Sequence, residues 1–219
     1  MKKDISYKEE VLRKSIHMCS LSIPIAYAFI SKETALTVLT IISVMFIGTD
    51  ILSKFSKTVN GLVMKFFGSI LRQHEIEKKF VLNGASWVFI SALMCIILFP
   101  KIIVISAFSI LIISDISAAL IGRKFGKHRF FTKSWEGTSA FIISAFIVIS
   151  IVGSVFQAPW TFYLFGFISA FIGGIIEAAS EVIKFDDNLS IPLSVGLSLW
   201  AFEYLSVSVF HLSFINLVR

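Results

Sequence analysis

The chain alternates between long apolar runs and shorter polar connections. A run of about 18 or more apolar residues with few charges is long enough to cross a bilayer as a helix. Such runs predict about seven membrane-spanning helices, at residues 15–31, 34–52, 82–99, 102–122, 139–157, 160–176 and 191–211. The first run is the least regular, because His17, Ser20 and Ser22 interrupt it.

The basic residues are distributed unevenly between the two sides that these helices define. If the spans alternate, the N-terminus shares one side with the three longer connections, 53–81, 123–138 and 177–190. That side holds 17 of the 20 lysines and arginines. Cytoplasmic loops carry such an excess of Lys and Arg. We therefore expect these connections to be cytoplasmic and the C-terminus to lie on the other side.

Segment 55–80 has a different pattern, with apolar residues at helical spacing and cations between them. Phe55, Val59, Leu62 and Phe66 follow the helical period, and Lys65 lies beside them. This pattern is typical of an amphipathic helix on the membrane surface. A short re-entrant or soluble helical hairpin would have the same periodicity and is the alternative.

Composition supports a membrane protein. The 219 residues are 56% hydrophobic and 16% charged, whereas soluble domains are about 25% charged. We expect one all-α domain over 1–219, a polytopic integral membrane helix bundle. The net charge is +6, and the basic residues that produce it lie between apolar runs. This placement favours lipid headgroups and phosphates as binding partners over nucleic acid. The sequence leaves open whether the chain forms a homo-oligomer.

The first group of candidate residues spans 115–138. Asp115 lies about two turns before the cytoplasmic end of the fourth span, where a carboxylate is costly unless it is paired, hydrated or bound to a cation. Ala118, Gly122 and Gly126 place a groove of small residues on one helix face, open to a backbone or a phosphate. Six basic residues follow: Arg123, Lys124, Lys127, His128, Arg129 and Lys133.

The start of the fifth span completes this group. Ser134 is a candidate N-cap, Glu136 follows it, and Gly137 leaves the helix N-terminus open to an anion. Each feature has a simpler explanation, because a GxxxG pattern often serves helix packing and a basic run can be a positive-inside anchor. Neither explains why Asp115 and Glu136 bracket the run.

The second group of candidate residues spans 177–192. Glu177, Glu181, Asp186 and Asp187 precede Asn188 on a face otherwise rich in cations. Carboxylates in such a cluster are typical Mg²⁺ ligands. Capping of the last helix by Asp187 or Asn188 would explain one of these residues but not all of them.

Four further polar residues lie within or at the ends of spans: His17, Asp50, Asn83 and Glu203. By default, an ionisable residue inside a membrane is a functional candidate. Each of them is equally well explained as a packing residue whose hydrogen bonds are satisfied.

Two motifs resemble a known family. Asp115-x-x-Ala118-x-x-x-Gly122-x-x-x-Gly126, followed by Lys133-Ser134-x-Glu136-Gly137, is similar to the nucleotide-binding signature of the polyprenol kinase family, which includes dolichol, phytol and farnesol kinases and CTP-dependent diacylglycerol kinase. Asp186-Asp187-Asn188-Leu189-Ser190-Ile191-Pro192 resembles a segment of its phytol kinase branch. Glu10-x-x-Arg13-Lys14-x-x-His17 is similar to that family's N-terminal pattern. Phosphatidate cytidylyltransferase shares the first signature, but its long C-terminal signature is absent here.

The resemblance implies a CTP-dependent lipid kinase that transfers a γ-phosphate to a lipid hydroxyl and releases CDP. Its catalytic connections would be 115–138 and 177–192. It implies Mg²⁺ held by Asp115, Asp186 and Asp187. Catalysis would involve these three residues with Glu136 and Glu177, and the nucleotide site would comprise Gly122, Arg123, Lys124, Gly126, Lys127, Arg129, Lys133, Ser134, Gly137 and Asn188. Arg13 and His17, from the N-terminal pattern, would be accessory, and Asp50 and Asn83 are accessory candidates as polar residues at the ends of spans. The alternatives are a phosphatidate cytidylyltransferase, which makes CDP-diacylglycerol, and a small membrane transporter.

Overall fold

A computed structural model describes residues 6–68, 71, 82–183 and 185–218. Within these residues the chain forms nine α-helices, one 3-10 helix and a two-stranded hairpin. The helices are α1 (Tyr7–Cys19), α2 (Ser22–Phe29), α3 (Lys32–Phe55), α4 (Lys57–Phe67), α5 (Gly84–Leu98), α6 (Lys101–Phe125), α7 (Trp135–Val155), α8 (Trp160–Ile183) and α9 (Asp187–Phe210). Strands β1 (Arg129–Phe130) and β2 (Lys133–Ser134) lie between α6 and α7, and the 3-10 helix is Ile215–Leu217.

The expected all-α membrane bundle is confirmed. Five helices, α3, α6, α7, α8 and α9, are long and apolar enough to cross a membrane, and α5 is a shorter apolar helix. They coincide with six of the seven spans predicted from the sequence. Helix α6 is the centre of the bundle, because it contacts α1, α2, α5, α7 and α9. Its side chains from Ile102 to Ile112 are buried.

The structure differs from the prediction at the first span, 15–31, because the chain forms two helices there, α1 and α2. The amide groups of Ser20 and Leu21 donate to carbonyls three residues earlier, at 2.9 and 3.0 Å, so the helix tightens into a turn. Pro24 has no amide hydrogen to continue the α-helical ladder through this turn. As a result, α1 is a separate helix that can lie against the end of α6.

The predicted amphipathic helix is present where the structure describes it. Helix α4 contains Lys57 and Lys65, and none of its eleven residues, all of which are described, is buried. Leu62, Phe66 and Phe67 are exposed, as expected for a helix whose apolar face meets lipid. The rest of the predicted helix, 69–70 and 72–80, lies outside the described residues.

Candidate active site

Asp115 lies in the interior of α6 and is only 4% exposed. The ammonium group of Lys14, on α1, donates a hydrogen bond to Oδ2 of Asp115. Nε2 of His17 lies 3.7 Å from the same oxygen and has no hydrogen-bond partner among the described residues. A carboxylate at this depth must be paired, hydrated or bound to a cation, and the buried Lys14 pairs with Asp115.

Helix α1 is held against α6 by a second group of charges one turn earlier. Glu10 is 1% exposed, and its carboxylate lies 2.6 Å from Arg13 and 3.3 Å from Arg123. Burial opposes ionisation of Glu10, but Arg13 and Arg123 hold its pKa below the usual value. Glu10, Lys14 and His17 follow helical spacing, so one face of α1 directs all three at α6.

The second catalytic connection meets the first at Lys133. Its ammonium group lies 2.6 Å from Oε1 of Glu177, at the end of α8, and 3.8 Å from Oδ2 of Asp187, at the start of α9. Burial would lower the pKa of Lys133, but the carboxylates of Glu177, Asp187 and Asp115 raise it above its usual value. Lys133 is therefore positively charged at neutral pH.

The Lys133 group and the Asp115 group form one site. The negative charge of Asp115 acts on Lys133, and the negative charges of both Asp115 and Asp187 act on His17. Thr132 donates to the carbonyl of Ala178 at 3.1 Å and fixes the hairpin to the end of α8. Thus four segments, α1, α6, the hairpin and the α8–α9 connection, contribute charged side chains to one place.

One carboxylate oxygen at this site is buried without a protein partner. Oε2 of Glu177 accepts no hydrogen bond from the described residues, although Glu177 is 1% exposed. A buried acceptor without a partner costs about 1–3 kcal/mol. Such an atom is a position where a ligand group or a cation would be stabilised.

The sequence of this protein matches the model of the cytidylyltransferase family over residues 2–180. The chain belongs to that family. It is 35% identical to phytol kinase of Synechocystis over 115 residues, 47% of this chain and 46% of that enzyme. It is 27% identical to CTP-dependent diacylglycerol kinase 1 of Saccharomyces cerevisiae, over 63% of this chain and 53% of that enzyme. An uncharacterised protein of Rickettsia prowazekii is 34% identical over 90% of this chain and 96% of its own length.

These relatives confirm the resemblance read from the motifs, a lipid kinase family related to cytidylyltransferases. The alignments to the two named kinases span about half of each enzyme, so their activities are statements about those enzymes. No solved structure matches the chain. The family match covers Asp115, Lys133 and Glu177 and ends before Asp186.

In this member of the cytidylyltransferase family, the groove of small residues is filled by α7. A Cβ atom added at Gly137 would lie 3.0 Å from the carbonyl oxygen of Ala118 and 3.2 Å from Cα of Gly122. One added at Gly126 would lie 2.7 Å from Oγ of Ser134. Of the two uses considered for this face, close packing of a backbone is the one present. A nucleotide-binding role for these glycines stays a prediction.

Ser134 is the N-cap of α7, as predicted, because its Oγ accepts from the Gly137 amide at 3.2 Å. Glu136 lies 2.8 Å from Nδ1 of His128 and so closes the base of the hairpin. The remaining cations of the connection, Arg123, Lys124, Lys127 and Arg129, have exposed or half-exposed side chains. Four basic residues are thus placed around the buried site rather than inside it.

The acidic segment before α9 divides into two roles. Asp186 is the N-cap of α9, and its Oδ1 accepts from the backbone amide of Asn188 at 3.0 Å and from its side-chain amide at 2.8 Å. The cap is therefore Asp186, and not Asp187 or Asn188 as the sequence suggested. Asp187 turns to Lys133 instead. The helix of Glu181 is described but its side chain is not.

Two accessory candidates belong to a separate structural group. Oδ2 of Asp50 accepts from the amide of Asn83 at 2.8 Å and from the hydroxyl of Ser86 at 3.0 Å. Asn83 in turn caps α5, with Oδ1 2.9 Å from the amide of Ser86. Asp50 thus fixes the start of α5 to α3. Glu203 is likewise satisfied, by Ser213 at 2.6 Å and the amide of Phe214 at 3.1 Å.

The predicted magnesium ligands are not gathered around one point. Asp115 is paired with Lys14, Asp186 caps its own helix and Asp187 faces Lys133. Among residues 6–68, 82–183 and 185–218, no group of three or more His, Cys, Asp or Glu side chains is arranged to hold a metal ion. Magnesium binding stays a prediction.

Sequence reasoning missed Lys14 and Glu10 as members of the site. Both belong to the N-terminal motif that resembles the family's pattern, but the site candidates predicted from that motif are Arg13 and His17. The available signal was their helical spacing with His17, which places three polar side chains on one face. That spacing predicts a shared partner but does not identify Asp115 and Arg123.

Proposed function

We propose that this protein is a CTP-dependent lipid kinase, which transfers the γ-phosphate of CTP to the hydroxyl of a polyprenol-type or related lipid alcohol. The observation that carries the proposal is Lys133, a charged and half-buried cation held between Glu177 and Asp187 beside Asp115. A phosphoryl transfer enzyme works mainly by positioning the phosphates and stabilising their charge. The kinase activities named for the relatives agree with this chemistry.

The roles follow from position. Lys133 would neutralise oxygens of the transferred phosphate, and the exposed Lys127 and Arg129 would attract the triphosphate to the site. Glu177 is the best candidate to accept the proton of the lipid hydroxyl, because its Oε2 is buried without a partner. Glu136 is a weaker candidate for that role, because it is engaged by His128. The proton leaves the hydroxyl as its oxygen bonds to the γ-phosphorus, and CDP departs.

Magnesium fits the chemistry of the site. Carboxylate oxygens are the ligands that Mg²⁺ prefers, and Asp115 and Asp187 bring two carboxylates to the site, where both act on Lys133 and His17. Asp115 and Asp187 are the residues we expect to hold it, since Asp186 is engaged as a helix cap. When bound, the ion would neutralise charge on the β- and γ-phosphates.

The acceptor is a neutral alcohol in this proposal rather than phosphatidate. Lys133 already faces two carboxylates, Glu177 and Asp187. Such a surrounding disfavours a second anionic group, which a phosphatidate would bring. The competing function is a phosphatidate cytidylyltransferase, and the match to the cytidylyltransferase family model is the observation in its favour.

The position of a radioactive label in the lipid product tests the proposal. Purified protein would be given lipid alcohols or phosphatidate with Mg²⁺ and CTP labelled at either the γ or the α phosphate. A kinase transfers the γ label, and a cytidylyltransferase transfers the α label. Lys133→Met should abolish transfer, whereas Lys65→Met, an exposed lysine on α4, should not. Lipid labelled only from the α position would refute the kinase.

The active site is proposed to face the cytoplasm, since the positive-inside pattern places connection 123–138 there. Lys127→Cys, in a Cys19→Ser background because Cys19 is exposed whereas Cys95 is buried, should react with an impermeant reagent only after the membrane is permeabilised. Labelling in intact cells would reverse the orientation.

A further inference from the structure

The hairpin between α6 and α7 carries two large rings on the same face as Lys133. Phe130 pairs with Lys133 across the two strands, and the amide of Trp135 donates to the carbonyl of His128 at 2.9 Å. Residues directly opposite in an antiparallel pair share a face, and so do residues two apart along a strand. Phe130, Lys133 and Trp135 therefore project from one side of the hairpin.

The two rings contact each other as diagonal neighbours across the strands. The ring centroids of Phe130 and Trp135 are 3.9 Å apart and the planes are tilted by 33°. Phe131 adds an edge contact to Phe130 at 4.7 Å. Trp135 is nevertheless 51% exposed. The exposed part of Trp135 therefore offers an aromatic surface beside the site, and ring packing sets its orientation.

The turn that presents these rings has an unfavourable backbone. Phe131 has φ of 48°, at a hairpin position where glycine or asparagine is usual because other side chains are strained there. The turn is fixed by Thr132 bonded to the α8 end at 3.1 Å and by Lys133 bonded to Glu177 at 2.6 Å. Strain that is held in place by surrounding contacts tends to occur at functional sites.

We propose that the Phe130–Trp135 ring pair is a stacking platform for the base of the nucleotide. This inference rests on the proposed function, because it takes the triphosphate to lie at Lys133. The rings share a face with that lysine, so a base attached to a triphosphate there lies over the same side of the hairpin. Base–aromatic stacking needs only a π-face, and Lys133 supplies a positive charge beside it on the same face of the hairpin. The platform therefore contributes affinity for any base rather than selection of cytosine.

Exposed Trp and Phe residues also anchor proteins at the bilayer interface, and the structure favours the nucleotide for two reasons. The ring pair lies on the face of the hairpin that carries the charged Lys133. The hairpin is also fixed to protein groups at the ends of α7 and α8, through Glu136 and Glu177. An interfacial anchor requires neither of these features.

Equilibrium binding to the full-length protein in nanodiscs separates the base from the phosphates. The ligands are CTP and inorganic tripolyphosphate, each with Mg²⁺, measured by calorimetry without a lipid acceptor. Trp135→Ala should weaken CTP binding about 5- to 150-fold, the range for loss of one stacked base, and leave tripolyphosphate binding within about twofold. Trp135→Phe should restore most of the CTP affinity. Trp160→Ala removes an exposed indole at the opposite end of α8 and should change neither ligand.

Each contrary result has a definite meaning. Equal weakening of CTP and tripolyphosphate would overturn the platform, because the change would then act on the phosphate site. Unchanged CTP affinity would also overturn it, and quenching of Trp135 fluorescence by brominated lipids would then assign the rings to the bilayer. A wild-type protein that does not bind CTP refutes the inference outright. If CTP binds as expected but no phosphate reaches any lipid, the proposed kinase function fails while the platform stands.

Should Trp135→Ala fail to fold, Phe130→Leu keeps the test intact. It removes the less exposed ring of the pair and preserves an apolar side chain at the same strand position. The same selective loss of CTP affinity is expected, in the lower part of the range. Equal loss for both ligands would again count against the platform.

Discussion

The ion pair between Lys14 and Asp115 allows a quantitative test of how α1 is attached to the bundle. Both side chains are 5% exposed. Removing one partner of a buried pair leaves a charge without compensation and typically costs about 3–5 kcal/mol. We expect Lys14→Met to lower the free energy of unfolding by about 3 kcal/mol, the lower end of that range, because His17 still lies near Asp115 at 3.7 Å.

The double variant Lys14→Met with Asp115→Asn is the decisive comparison. Replacing both members of a buried pair by neutral groups is often nearly neutral, so the double variant should be more stable than Lys14→Met by about 2 kcal/mol. The measurement is unfolding of purified protein in mixed micelles by added dodecyl sulfate, followed by far-ultraviolet circular dichroism. Lys8→Met, an exposed lysine on the same helix, is the control and should change stability by less than about 0.5 kcal/mol.

The reasoning would be refuted if Lys14→Met resembled Lys8→Met. It would also be refuted if the two changes in the double variant were additive, since additivity means that the two side chains do not interact. Activity serves as a separate readout. Lys14→Met leaves Lys133 and Glu177 unchanged, so activity lost at temperatures where the variant is folded would indicate a part for α1 in the reaction beyond attachment.

Three further predictions concern packing and capping. Gly126→Ala should destabilise the protein by about 1–3 kcal/mol in the same unfolding assay, because the new Cβ would lie 2.7 Å from Oγ of Ser134. The control is Gly48→Ala, whose Cβ would have nothing within 4 Å and which should be neutral or stabilising by up to about 1 kcal/mol. Asp50→Ala should lower the free energy of unfolding by about 1–3 kcal/mol for each donor left unpaired at the start of α5, while turnover per folded molecule stays normal. Lost turnover in folded protein would instead show that Asp50 takes part in the reaction. Glu203→Ala should speed chymotrypsin cleavage at Phe214, and an unchanged rate would refute the role of Glu203 in holding the C-terminal segment.

Much of the fold could be predicted from the sequence because a membrane imposes one simple rule. A long apolar run must form a helix that satisfies its own backbone hydrogen bonds, so six spans follow from the apolar runs. Part of the amphipathic helix follows from the helical spacing of its apolar residues. The exception, 15–31, fails for a local reason, since Pro24 and the turn at Ser20 and Leu21 interrupt a run that is apolar enough on average. Hydropathy averaged over about twenty residues does not reveal the loss of a single backbone amide hydrogen.

The site could be predicted only in part, because motifs identify residues without their partners. That the two polar connections meet was expected, and Lys133 with Glu177 is the contact that joins them. That Asp115 is neutralised by Lys14 could not be foreseen, because 101 residues separate the two and the contact depends on how α1 packs. In the same way, spacing predicted a groove at Gly122 and Gly126, but only the packing of α7 shows that this groove is filled.

The pairing of charges at the site bears on how a nucleotide would enter it. Two buried carboxylates of the candidate site each have a cation as partner. Asp115 is paired with Lys14, and Glu177 is paired with Lys133. Buried pairs add little net stability compared with apolar side chains of similar size, so stability alone is a weak reason to retain two of them. A magnesium–triphosphate complex brings both a cation for the carboxylates and anions for the lysines. Asp115, Lys14, Glu177 and Lys133 could therefore exchange their protein partners for ligand partners without leaving a buried charge unpaired. For this reason we expect the two ion pairs to rearrange when the nucleotide binds. The Glu10–Arg123 contact, which holds α1 in place, should persist.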